Sequence, residues 1–247
     1  MSACVACARR FEPLIACPPA LQAELKWIAD ELGPARDWDV LANTTLREAF
    51  DGAPEDVGAG AVLAAAKAVA ADARQRAAQA VNSDRYTRLV LTLSHWLGSA
   101  DWDHGLDEAQ RAALAGSARD FALTTLRKRQ RRLLKRGRGM ARLDEQRRHR
   151  ARIAAKKLRY ATEFFESLFA ANKLRRYRRQ LSRLQDDLGW RNDMAVAEGL
   201  LLRLGTERQQ LAIGCGYARG YIAKGVSVDR QPLRRFWKQF KAARLPA

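Results

Sequence analysis

Apolar residues in this chain recur at three- and four-residue spacings and almost never at every second position, which predicts helices throughout. Leu21, Leu25, Ile28 and Leu32 form one such stripe, and Leu181, Leu184 and Leu188 form another. Glycine, proline and aspartate clusters punctuate the pattern. Between them it predicts helices over about 3–16, 19–32, 35–49, 59–81, 83–98, 107–136, 141–170, 173–188, 190–204, 207–224 and 232–242. Gly137-Arg138-Gly139 breaks the chain near its middle, too briefly for a flexible linker, so the parts on either side are expected to pack together. The fold class is all-α.

A short internal repeat refines the organisation. Leu32-Gly33-Pro34-Ala35-Arg36-Asp37-Trp38-Asp39-Val40 matches Leu188-Gly189-Trp190-Arg191-Asn192-Asp193-Met194-Ala195-Val196 at an offset of 156 residues. Each copy follows an amphipathic helix. Each glycine is expected to stop that helix, and each aspartate to sit in the first turn of the next, where the positive helix end favours it. The expected organisation is a single domain over 1–247, with a first helical half over 1–115 and a second over 116–247.

Composition agrees with helices: glycine (16) and proline (7) are sparse in 247 residues, and good helix formers dominate. Cys4, Cys7, Cys17 and Cys215 are no disulfide framework, with three crowded at one end. No stretch of about 18 uncharged apolar residues exists, and the first residues carry Arg9, Arg10 and Glu12 where a signal peptide would be apolar. A cytoplasmic location without a membrane span is the expectation.

Charge changes the picture most. Of a formal net charge of +18, the segment from Arg119 to Arg191 carries 24 Lys/Arg against 7 Asp/Glu, and the rest of the chain is close to neutral. Such concentration repels itself unless a polyanion meets it. On a helical projection His149, Arg152, Lys156 and Arg159 fall at roughly 0°, 300°, 340° and 280°, an arc of about 80°. Ala154, Leu158, Ala161, Phe165 and Leu168 gather at about 100–180°. The apolar side is expected to pack inward and to leave the cations exposed in a line along which phosphates could run. Arg127, Lys128, Arg129, Arg131, Arg132, Lys135 and Arg136 crowd the preceding helix, and Arg175-Arg176-Tyr177-Arg178-Arg179 opens a later one. A single basic run is most often a solvated face; three of one sign together favour a binding surface.

The string His149-x-x-Arg152-Ile153-x-x-Lys156-Lys157-Leu158-Arg159-Tyr160, followed by Glu163-Phe164-Phe165, resembles the signature helix of CHAD domains, the conserved histidine α-helical domains. Leu184-Gln185-Asp186-Asp187-Leu188-Gly189 with Asn192-Asp193 resembles a second landmark of that family, and Leu32 to Asp37 its first-half counterpart. The resemblance implies two four-helix-bundle-like halves related by a pseudo-two-fold axis around a basic groove or pore that binds inorganic polyphosphate. His149, Arg152, Lys156, Lys157 and Arg159 would be the binding stripe, with Arg127, Arg131, Lys135, Arg175 and Arg178 as flanking phosphate contacts. It further implies association with polyphosphate granules and their proteins. The N-terminus departs from the pattern: Phe11-Glu12-Pro13-Leu14 aligns with Phe165-Glu166-Ser167-Leu168, which leaves Ser2, Ala3 and Val5 where Lys156, Lys157 and Arg159 have their counterparts. The first-half stripe is therefore missing here, either because the sequence starts too late to include it or because this half has lost it.

No enzyme activity is expected. The ExExK motif of the CYTH triphosphatases that accompany some CHAD domains is missing, and so is a Gly-rich phosphate loop. Asp186, Asp187 and Asp193 read as caps rather than metal ligands, Cys4-x-x-Cys7 has no second ligand pair, and His95 and His104 have no matching spacing. No cofactor is expected. The competing reading is a nucleic-acid-binding protein, since phosphate neutralisation does not distinguish polyanions. The basic runs lack interleaved aromatic residues for base stacking, which makes nucleic acid the weaker competitor.

Overall fold

The computed structural model describes residues 17–99, 106–228 and 230–245. Cys4, Cys7, Phe11, His104 and the expected helix over 3–16 lie outside them. Ten α-helices follow one another among the described residues, without strands: α1 (Pro19–Val40), α2 (Leu46–Ala49), α3 (Ala59–Val81), α4 (Asp84–Gly98), α5 (Glu108–Ala115), α6 (Ala118–Arg136), α7 (Glu145–Phe164), α8 (Ala171–Glu207), α9 (Ala212–Val228) and α10 (Arg230–Ala242).

Three expected boundaries are corrected. The first two concern the repeated glycines, neither of which stops a helix. α1 runs through Gly33 and Pro34 and passes by a single π-helical stretch, Leu41–Thr45, into α2. α8 runs through Gly189 without interruption for 37 residues. The reason is the buried stripe. Leu174, Tyr177, Leu181, Leu184, Leu188, Arg191, Met194, Ala197, Leu201 and Leu204 are all buried and follow one another at steps of three or four. Ending the helix at Gly189 would break that register, whereas a mid-helix glycine costs only about 1 kcal/mol. Asp37 and Asp193 therefore lie mid-helix and are not caps. The third correction is the long basic helix expected over 107–136. It is cut at Gly116, and Ser117 caps α6 by accepting from the Asp120 amide at 3.4 Å. Asp107 and Gln110 form a reciprocal capping box at the start of α5.

The chain forms two compact units, and neither is contiguous in sequence. The first contains 17–99 and 193–228; the second contains 106–192 and 230–245 among the described residues. The division thus runs elsewhere than residue 115, and α8 contributes to both units. In the first unit α1 packs on α3 by Leu21, Leu25, Ile28 and Trp38 against an alanine-rich face that includes Ala66, Ala70 and Ala73. In the second, α6 and α7 form a hairpin turned by Gly139, whose φ of 68° suits glycine. Ala151, Ala154, Ala155, Leu158 and Ala161 of α7 face Ala122, Leu126 and Leu133 of α6 in one cluster. Small residues let the two backbones approach closely, so the long side chains of both helices are left to point outward. Tyr177, Leu181, Leu184, Leu188, Leu233, Trp237 and Phe240 complete that core.

Candidate polyanion-binding surface

The units divide the charge completely. Among described residues the second unit holds 31 Lys/Arg against 9 Asp/Glu, and the first holds 12 against 14. The basic surface is therefore a property of one unit, and part of it comes from α10, which the sequence reading passed over. Arg234, Arg235, Lys238 and Lys241 of that helix are exposed while Leu233, Trp237 and Phe240 are buried, and no acid lies between Arg230 and Leu245. Its signal was present as an acid-free amphipathic run.

α7 is held at its start by Asp144, which accepts from the Arg147 amide at 2.7 Å. The sequence-derived stripe maps onto it with one correction. His149 is exposed, Lys156, Lys157 and Arg159 are half-buried, but Arg152 is only 8% exposed. The projection placed the apolar arc too narrowly. Ala151, Ala155 and Thr162, at about 200–240° on it, are packed as tightly as Leu158, so burial reaches the edge at 300° where Arg152 stands. Arg152 is thus an anchored side chain at the margin of the stripe.

His149 is held from a distant part of the sequence. Its Nδ1 lies 2.8 Å from Asn192 Oδ1, so Nδ1–H donates and fixes the ring, leaving Nε2 clear of that bond. The second landmark thereby orients the first residue of the stripe. Within the landmark, Arg191 Nε donates to Asp187 Oδ2 at 2.9 Å in a pair whose side chains are 3% and 6% exposed. Arg36 and Asp193 pair at 3.5 Å in the first unit. Asp186 is exposed. Asp187 and Asp193 serve ion pairs instead of capping, and no group of three or more His, Cys, Asp or Glu side chains among the described residues is arranged to hold a metal.

Arg159 reaches Glu163 at 3.4 Å, and Arg178 is engaged by Glu166 at 2.7 Å. Arg127, Arg131 and Lys135 stand one turn apart, all exposed, on α6, and Arg175 is exposed on α8. Arg136 donates to the Arg150 carbonyl at 3.2 Å. Partial burial, followed by the charges of Arg132 and Arg150, holds its guanidinium below the ordinary arginine range. Three cations thus sit in one another's field where the hairpin closes, an arrangement that a bound polyanion would relieve. Among the described residues no helix is long and apolar enough to cross a membrane.

The described residues thus form an all-helical protein whose positive charge is gathered into one of its two compact units. The chain belongs to the CHAD domain family, whose sequence model matches residues 6–202. It is similar to the crystal structure of the CHAD domain from the plant Ricinus communis, at 36% identity and a TM-score of 0.84, over 98% of this chain and 78% of that one. No match is found among curated proteins. The family is associated with polyphosphate binding in general.

Proposed function

We propose that this protein binds inorganic polyphosphate through the stripe on α7, flanked by Arg127, Arg131, Lys135, Arg175 and Arg178, and that it does so in the cytoplasm to localise at or organise polyphosphate granules. The observation that carries this is the charge division: the unit with the stripe holds the entire cationic surplus. A closely spaced phosphate chain with no bases to recognise is the ligand that rewards charge density alone. Titrating the protein with long-chain polyphosphate, duplex DNA and tRNA at matched phosphate concentration tests the reading. Polyphosphate should bind most tightly, and its affinity should fall steeply as salt rises. Equal or tighter binding of either nucleic acid overturns it.

The same reading makes the domain a binder and not an enzyme. Support comes from Asp187, Asp193, Glu163 and Glu166, which pair with Arg191, Arg36, Arg159 and Arg178. Incubation with polyphosphate or nucleoside triphosphates and Mg²⁺ or Mn²⁺ should release no phosphate above background. Metal-dependent release that disappears on Asp186→Ala or Asp193→Ala would assign those carboxylates to a catalytic metal instead.

A further inference from the structure

We propose that a cavity in the second unit takes a small organic phosphate carrying N–H or O–H donors, of the nucleotide class, at a site that lies off the α7 stripe and shares only Arg127 with the flanking polyphosphate contacts. The cavity, of about 910 Å³, is bounded by α6, the start of α8 and the end of α10 with the residues that follow it. No residue between His149 and Arg159 lines it. Its size lies in the range of cavities that hold ligands of this kind.

Two kinds of group meet there. Arg127, Arg176 and Arg244 bring guanidinium groups from three separate elements, which suits phosphate oxygens. Behind them stand Tyr177, Gln180 and Gln239. The Tyr177 hydroxyl and the Oε1 atoms of both glutamines are buried and find no hydrogen-bond partner among the described residues. Tyr177 is only 1% exposed, and burial pushes its phenol well above the ordinary range, so it stays neutral and able to donate. Buried polar atoms are nearly always satisfied, and three unsatisfied ones, two from α8 and one from α10, among the lining residues point to a bound partner.

The chemistry of these atoms selects the ligand. The two glutamine oxygens only accept. The interior phosphates of inorganic polyphosphate also only accept at neutral pH, so that chain can pair with the amide nitrogens of these glutamines but leaves their oxygens unanswered. A nucleobase or ribose supplies N–H and O–H donors, while its phosphates answer the arginines. The wall is also fixed in place: Gln130 Nε2 donates to the Ala243 carbonyl at 3.3 Å and ties the segment bearing Arg244 to α6.

The test is the ratio of ATP to tripolyphosphate affinity, measured by equilibrium dialysis on the full chain and its variants. The stripe is the same in every protein compared, so a change in the ratio reports the cavity. Gln180→Leu combined with Gln239→Leu should lower the ratio by about tenfold or more, since it removes two acceptors that only the nucleotide can use. Tyr177→Phe keeps the ring and should lower it several-fold, with melting curves confirming the fold. If the double variant fails to fold, Tyr177→Phe decides alone. An unchanged ratio in the folded variants overturns the proposal and leaves those atoms to ordered water. Long-chain polyphosphate should bind Tyr177→Phe as it binds the parent, so this failure is distinguishable from failure of the stripe.

Discussion

Replacing Lys156, Lys157 and Arg159 together by alanine is expected to weaken polyphosphate binding by at least about a hundredfold with the fold intact. Each lost charge-assisted phosphate contact should cost about 1.5–3 kcal/mol, and non-additivity leaves a hundredfold as a conservative sum. All three side chains keep part of their surface exposed, alanine is the best helix former, and the buried face of Ala151, Ala155 and Leu158 is untouched. Arg152 is left out because its burial makes it structural, and Arg152→Ala should cost stability as well as affinity. The matched control removes Lys67, Arg76 and Lys224, exposed cations of the first unit. Lys238 and Lys241 would be a poor control, since α10 belongs to the basic unit. Equal weakening by both triple changes, read by titration at fixed salt, would reduce the effect to net charge and remove the stripe as a site.

Asp187→Ala should destabilise the protein by about 3–5 kcal/mol, the usual consequence of leaving a buried cation without its partner. The pair it breaks, Asp187 with Arg191, is sealed on α8 one residue before Asn192, which orients His149. Asp186→Ala next to it removes an exposed carboxylate and should change stability by no more than about 0.5 kcal/mol. Replacing both partners, Asp187→Leu with Arg191→Met, should recover much of the loss, because no charge is then stranded. Denaturant titration of the four proteins separates these outcomes. If Asp187→Ala and Asp186→Ala prove equally mild, the pair contributes nothing to the core and the landmark needs another explanation.

The helical period, the cation density and the stripe's register were all readable from residue order, because each is a local property of one segment. So was the family resemblance carried by His149 to Tyr160, which the CHAD match supports. The uninterrupted stripe from Leu174 to Leu204 is legible too, and its period outweighs the glycine at 189 that reads locally as a stop. A helix-breaking residue acts locally for about 1 kcal/mol, and burial along both flanks outweighs it.

Other features existed only in three dimensions. Arg152 is buried because small residues widen the packed arc of α7, and a projection of that helix alone does not show what packs against it. His149 meets Asn192 across 43 residues of sequence, and Arg127 meets Arg176, Tyr177 and Arg244 around one cavity. The interleaved units, which bring α10 into the basic half of the charge, follow from long-range contacts as well. Sequence sets which side chains a helix offers and at what spacing, whereas only the packing of distant segments decides which are covered and which are brought together.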